Sequence, residues 1–516
     1  MYNAAVELLD HNLRSGRSAK LAFVDDDGAY TYGELAERVN RCANALLALG
    51  LRSGDRVLLV LLDSIAFPVA FLGAIKAGIV PVPINTMFRV ADYAFVFENS
   101  AAKAAIVSQT LYPSCADAAR SADWSGRFIV ANGRAASEPN FDDLLAAASS
   151  NFEAAKTAAG DTCFWLYSSG STGKPKGTVH RHESLMQTAE LFGQQVLGLQ
   201  ESDTVYSAAK LFFAYGLGNA LTFPLSTGAT SILYAGRPLP DTVLDILARH
   251  EATVFCGVPT LYSSLLASEG FRKKPALALR VCVSAGESLP QHIGEAWRAA
   301  TGVDIVDGIG STEMLHIFLS TRPAAVRYGV TGVPVPGYRV RLVDERGDDV
   351  PQGELGELLV AGPSAFSLYW GNPERTERTI EGEWVRTGDK FYQLASGEYV
   401  HCGRTDDMMK VGGIWVAPSE VEGALIAHEA VLEVAVIGVP DANDLVKPKA
   451  YVTLRSGFTG SDELSRDLQS FVKDRLAPYK YPRWIEFVDD LPKTATGKIQ
   501  RHILRGKEAD LRAARA

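Results

Sequence analysis

Short apolar runs alternate with amphipathic stretches through the first part of the chain. Between Tyr30 and Gly50, "YTYGELAERVNRCANALLALG", apolar residues recur at helical spacing. Thr31 and Glu34 stand three apart as in a capping box, and Gly50 stops the run. "RVLLVLL" (56–62) reads as a buried strand, "SIAFPVAFLGAIKAG" as a helix and "IVPVPI" as a second strand. The alternation returns in "AAIVS" (104–108), "SILYA" (231–235), the helix of "DTVLDILARH", "ATVFCGV" (252–258) and "LRVCVSAG" (279–286). This pattern predicts an α/β region of mainly parallel sheets.

After about residue 325 the period changes. "YRVRLVDERGDDVPQGELGELLVAG" alternates apolar and polar residues around Gly-rich turns, which predicts a small antiparallel, barrel-like region. The last hundred or so residues, with "LEVAVIGVP", "AYVTLRS" and a helix near Glu463–Leu476, predict a small α+β domain. The polar, Gly-flanked "CGRTDDMMKVGG" (402–413) separates the two, so residues 1–405 and 406–516 are expected to form an N-terminal and a C-terminal domain.

Composition narrows the partners. A chain of 516 residues, 47% hydrophobic, can bury more than one core. Its net charge of −9 argues against a general nucleic-acid or anionic-membrane binder, while leaving room for a local basic patch. Val57–Ile84 is the most apolar region, but Asp63, Pro68, Lys76, Pro81 and Pro83 make it a poor membrane span. The N-terminus has no signal-peptide core, and Cys42, Cys115, Cys163, Cys256, Cys282 and Cys402 show no CxxC spacing. Buried thiols and a cytoplasmic location are expected. His180 and His182 form a His-x-His pair with no third ligand in view and are expected to be solvated or to start a helix.

One stretch carries chemistry on its face. Tyr167–Gly177, "YSSGSTGKPKG", follows the strand-like "TCFWLY" and precedes the helix-like "HESLMQTAELFGQQVLG". A Gly-rich turn there offers backbone N–H groups, hydroxyls and lysines to an anion. It is not a Walker A loop, because Gly170 and Gly173 stand too close and Lys174 precedes a proline. On composition alone it is a phosphate loop or a flexible surface loop.

With its neighbours, "YSSGSTGKPKGTVH" resembles the signature loop of the adenylate-forming superfamily of acyl- and aryl-CoA synthetases. The other motifs follow in that family's order across nearly the whole chain: "SAGESLP" (284–290), "GIGSTE" (308–313), "WVRTGD" (384–389), "GRTDDMMKVGG" (403–413) and "LPKTATGKIQR" (491–501). The resemblance implies that ATP is held by Ser168, Ser169, Gly170, Ser171, Thr172, Gly173 and Lys174. Gly286, Glu287, Asp307, Gly308 and Ile309 would line the adenine pocket, and Thr312 would meet phosphate. Glu313 would hold Mg2+, Asp389 the ribose hydroxyls, and Arg404 would contact the nucleotide. Ile309 departs from the family, which commonly has an aromatic there. The catalytic set implied is Lys498, Thr172 and Glu313. Lys498 would lie between the attacking carboxylate and the α-phosphate, where it favours the transition state.

The same resemblance implies two half-reactions, adenylation and then thiol attack, with Asp406 as a hinge and Lys410, Gly412 and Gly413 lining a thiol tunnel. Coenzyme A is the expected acceptor, with Lys480 and Arg483 as candidates for its phosphates. "FFAYGLGN", "STEMLHIFLS" and "YNAAVELLDHNL" are similar to benzoate-CoA ligases in particular. That likeness implies a small pocket for an aromatic carboxylic acid formed by Phe213, Ala214, Tyr215, Gly216, Gly310 and His316. Many members have histidine where Phe213 stands, and phenylalanine suits an uncharged ring. Benzoate is the expected acid, with hydroxy-, amino- or halobenzoates, furoate, or loading of a carrier protein as alternatives. A monomer or homodimer is expected.

Overall fold

The capping box forms as its spacing predicts. Thr31 accepts from the Glu34 amide, Glu34 accepts from the Thr31 amide at 2.8 Å, and the helix Tyr32–Ala48 starts there. Its apolar stripe, Leu35, Val39, Cys42 and Leu46, is buried against the helix Ala66–Lys76, which is buried along its whole length. Gly73 permits this approach, because a Cβ there would lie 2.7 Å from the Cys42 Cβ.

The computed structural model describes residues 1–168, 175–273, 276–411, 414–441, 445–493 and 499–513. They divide into two compact units, Met1–Arg339 with Val360–Val385, and Val340–Leu359 with Arg386–Ala516.

The first unit holds the predicted parallel sheets. One has four strands in the order Val80–Pro83, Arg56–Val60, Ala104–Ser108 and Arg127–Ala131, all parallel. The apolar region 57–84 is thus strand, helix and strand, and among the described residues no helix is long and apolar enough to cross a membrane. The larger sheet has nine strands. Its parallel centre runs Ile305–Gly310, Val281–Ala285, Val254–Gly257, Thr204–Ser207, Thr230–Ile232 and Leu21–Val24. Antiparallel strands close both edges, Ala29–Thr31 on one side and Ile317–Ser320 with Val333–Pro334 on the other.

A third sheet corrects the reading of the Gly-rich stretch. Thr162–Ser168 pairs antiparallel with Lys176–Arg181, and Leu368–Tyr369 adds to its other side. The stretch therefore joins two strands, and the helix begins only at His182. Lys176–Arg181 is buried at Gly177, Thr178, Val179 and His180, so both faces are covered and no alternation marks it.

In the second unit, Arg339–Val343, Gly356–Ala361, Trp384–Gln393 and Tyr399–Arg404 belong to the expected antiparallel sheet, and the unit boundaries fall inside its strands. A hairpin of Met409–Val411 and Ile414–Val416 follows. The last sheet pairs Val431–Pro440 antiparallel with Val446–Leu454, which runs parallel to Trp484–Phe487. Helices Pro418–Ile426, Asp462–Lys473 and Arg501–Ala513 complete this α+β body. All six cysteines are buried free thiols.

Candidate active site

The candidate residues of the first unit gather where the parallel strands of the large sheet end. Ser284 lies opposite Asp307 and Ala285 opposite Gly308, so Gly286 and Ile309 follow side by side. In open α/β sheets this carboxyl end is where ligands bind. Gly286 takes φ +95°, a turn that a side chain would strain. Glu287 is partly buried beyond it.

Asp307 is buried. Its amide donates to the Thr321 hydroxyl at 3.0 Å, and its Oδ1 has no hydrogen-bond partner. Burial pushes its carboxyl up to about 8, against a weaker pull from the Leu289 and Gly308 amides. An orphaned buried oxygen beside Gly308 and Ile309 is chemically suited to the exocyclic amine of a purine. Ile309 is half-buried.

After Ile309 the strand shifts register, and a Cβ on Gly310 would lie 2.5 Å from the His316 carbonyl. The chain then turns tightly. The Ser311 hydroxyl accepts from the Met314 amide at 3.1 Å, and Leu315 takes φ +64°. The Thr312 carbonyl accepts from His180 Nε2 at 2.9 Å. A carbonyl only accepts, so the proton sits on Nε2. His180 is stacked on Phe164 at 5.1 Å and fully buried, and burial lowers its pKa to about 3. His182 is also buried, accepts from the Ala4 amide and is lowered to about 4 by burial. Both are buried neutral imidazoles rather than solvated ones.

Glu313 is held at two points. Its carbonyl accepts from the Phe366 amide at 2.7 Å, and its Oε1 accepts from the Tyr369 hydroxyl at 2.6 Å. Sequence reasoning missed Tyr369. Among the described residues no group of three or more His, Cys, Asp or Glu could hold a metal by itself. A single partly exposed carboxylate suits Mg2+ that arrives with phosphate oxygens as its remaining ligands.

The strands that flank the Gly-rich stretch are firmly seated. Tyr167 donates to Asn99 Oδ1 at 2.7 Å, Trp165 packs on Trp370 at 4.4 Å, and the Lys176 ammonium lies 5.1 Å from the Tyr369 ring centre. Ser168 ends its strand with a buried, unpartnered hydroxyl. Ser169, Gly170, Ser171, Thr172, Gly173 and Lys174 lie outside the described residues.

The residues expected to form the acyl pocket meet the same strand ends. Phe213 caps the short helix Ala214–Leu217 and packs on Phe212 at 4.3 Å. The Tyr215 hydroxyl reaches the carbonyls of Gly257 at 3.2 Å and Val283 at 3.1 Å. Its own carbonyl accepts from His316 Nε2 at 3.3 Å. A Cβ on Gly216 would overlap the Lys210 carbonyl. His316 is buried among Phe223 at 4.5 Å, Phe192 at 5.3 Å and Tyr215 at 5.6 Å, and burial lowers its pKa to about 3. Gly218 makes room for it, since a Cβ there would overlap the imidazole. Phe192, Phe223 and Gly218 carry only ordinary apolar periodicity in the sequence.

The second unit carries the remaining candidates. Asp389 lies opposite Arg404 across two antiparallel strands. Its Oδ2 is 3.3 Å from Arg404 Nη1 and its Oδ1 is 3.4 Å from His401 Nε2, while Arg404 also donates to the Thr387 carbonyl at 2.9 Å. Asp406 is exposed in the turn that follows. Its neighbour Asp407 is held by Arg505 at 2.5 Å and Arg501 at 3.7 Å. Lys410 lies over the Trp415 ring at 5.3 Å. Gly412, Gly413 and Lys498 lie outside the described residues. Lys480 is ion-paired with Glu420, and Arg483 lies over Tyr481 at 3.7 Å.

Comparison with known proteins shows the family of the chain. The AMP-binding enzyme family matches residues 10–370, and the AMP-binding enzyme C-terminal domain matches residues 420–498. The chain is 56% identical to a benzoate–CoA ligase of Thauera aromatica, over 98% of this chain and 96% of that one. It is 47% identical to a 4-hydroxybenzoate–CoA/benzoate–CoA ligase of Rhodopseudomonas palustris, over 98% and 94%. The crystal structure of a benzoate CoA ligase from Burkholderia xenovorans superposes with a TM-score of 0.92 at 52% identity, over 98% of this chain and 100% of that one. An anthranilate CoA ligase in complex with anthranoyl-AMP superposes with a TM-score of 0.94 at 42% identity, over 98% and 97%.

Proposed function

The chain belongs to the AMP-binding enzyme family, and from that premise we propose that it joins benzoate to coenzyme A. It is an AMP-forming acid–thiol ligase that uses ATP and Mg2+ and works through an acyl-adenylate. A benzoate oxygen attacks the α-phosphorus and pyrophosphate leaves. The coenzyme A sulfur then attacks the acyl carbon, AMP leaves, and the thiol proton passes to solvent.

The residues divide the work. Asp307 and Gly286 receive the adenine, Asp389 the ribose and Thr312 a phosphate. Glu313 would hold Mg2+, which when bound neutralises charge on the phosphates. Lys498 steadies the charge that builds between carboxylate and α-phosphate. The Gly-rich stretch 169–174 cradles the phosphates. Residues 1–405 bind ATP and acid, and residues 406–516 pivot at Asp406 to exchange Lys498 for the Lys410–Gly413 turn. The enzyme acts in the cytoplasm, as a monomer or homodimer.

One observation carries this reading. Tyr215 is tied by its hydroxyl to Val283 and by its carbonyl to His316, which supports reading the acid pocket beside the strand ends proposed for the nucleotide. A substituted benzoate is the second reading, favoured by His316 Nδ1, a buried polar atom without a hydrogen-bond partner.

The test is coenzyme A-dependent AMP formation on a panel of acids: benzoate, ring-substituted benzoates, furoate, cyclohexanecarboxylate, acetate and octanoate. Turnover is expected to be strongest on benzoate and to fall with bulky para groups. Preference for a linear acid would overturn the pocket assignment. Release of AMP only with a carrier protein would overturn coenzyme A as acceptor.

A further inference from the structure

The hydrogen bond between Tyr369 and Glu313 spans 56 residues and joins elements that no motif connects. Tyr369 stands on the two-residue strand Leu368–Tyr369, paired with Lys176–Arg181, so that Tyr369 is opposite Thr178. This is the return strand of the Gly-rich hairpin. The Tyr369 amide donates to the Thr376 hydroxyl at 3.0 Å, and its ring packs on Phe366 at 4.7 Å. The backbone is therefore held by the strand pairing and Thr376, the ring by Phe366, and the hydroxyl is presented from that footing. Phe366, three residues earlier, donates to the Glu313 carbonyl. One short segment thus grips both ends of Glu313, its backbone and its carboxylate.

We propose that Tyr369 is a positioning residue that fixes the Glu313 carboxylate, and through it the Mg2+–phosphate assembly, relative to the Gly-rich hairpin. The proposal rests on the reading of Glu313 as the residue that holds Mg2+. The phenol donates to Oε1, which aims the carboxylate and leaves Oε2 for the cation. Tyr369 shares a sheet with the two strands that flank residues 169–174, so the carboxylate it holds is tied to those strands. Hydrogen-bond partners behind a metal-binding carboxylate orient it and tune the affinity.

The test uses the full-length enzyme with Y369F, E313Q and the double variant. ATP binding is followed by calorimetry without acid at a series of Mg2+ concentrations, alongside initial rates of acyl-adenylate formation. Phenylalanine keeps the ring against Phe366, so Y369F is expected to fold, and its melting temperature is measured. Y369F should need about tenfold more Mg2+ for half-maximal ATP binding. E313Q should shift further, and adding Y369F to it should add nothing. If E313Q shifts and Y369F does not, Tyr369 only packs and the proposal falls, whatever the melting temperature does. If E313Q itself leaves the Mg2+ dependence unchanged, the reading of Glu313 falls and takes this proposal with it.

Discussion

His316 Nε2 donates to the carbonyl of Tyr215 at 3.3 Å, across 101 residues of sequence, in a pocket that Gly218 leaves open. The bond places the proton on Nε2, burial keeps the imidazole neutral, and Nδ1 has no hydrogen-bond partner. This bond joins the turn after Glu313 to the acyl segment.

Adding one carbon tests that junction. Gly218→Ala places a methyl group inside the imidazole, and overpacking of this kind costs roughly 1–3 kcal/mol. We expect kcat/KM for benzoate to fall on the order of tenfold to a hundredfold, as for a small misplacement of a bound substrate. Binding of ATP should hold. Equal losses for acid and nucleotide would mean that Gly218 serves the fold and not the pocket.

The buried imidazoles should make the protein acid-sensitive. His316 is lowered from 6.5 to about 3 by burial. Between those values the unfolded chain binds a proton that the folded chain does not, so stability falls as pH drops through that window. The slope is about 1.4 kcal/mol per pH unit for one such group. Urea unfolding at pH 7, 6 and 5 should show a flatter pH dependence in H316Q than in the native enzyme. Parallel curves would contradict a buried neutral His316. Asp307, raised to about 8, works in the opposite direction, because its folded form takes up a proton first and gains stability as pH falls. The comparison of variant with native enzyme cancels that term.

Asp389 has long contacts, 3.3 Å to Arg404 and 3.4 Å to His401, so its carboxylate keeps acceptor capacity. D389N should raise KM for ATP on the order of tenfold, since hydrogen bonds to a charged group contribute about 1.5–3 kcal/mol. The melting temperature should move little. A stability loss with unchanged KM would assign Asp389 to the fold.

K498A should separate the two half-reactions. Adenylate formation is expected to slow by roughly 100- to 1000-fold, the usual loss for one electrostatic donor. Thiolysis of supplied benzoyl-AMP should continue near the native rate. If both steps slow together, Lys498 does more than assist adenylation.

Local rules made much of this legible. The Thr31–Glu34 box, the alternation of buried strands with helices and the order of the motifs needed only spacing. What stayed hidden depends on distant partners. Lys176–Arg181 is a strand because two other strands flank it, and it is buried on both faces, so it shows no period. His180 and His182 sit among polar neighbours in sequence, but Phe164 and Ala4 cover them. Tyr369 comes from a two-residue strand, too short for any pattern, and its meaning lies in Glu313.

The strand Leu21–Val24 lies parallel to Thr230–Ile232, and Thr230 Oγ1 reaches the Leu21 carbonyl across 209 residues. During synthesis the earlier strand therefore leaves the ribosome well before its neighbour exists. At about 5–20 residues per second, the wait is roughly 10–40 s. Through that interval Ala22 and Phe23, both buried in the finished protein, have no parallel partner. A pause in translation before Thr230 would lengthen the time for which this edge stays unpaired.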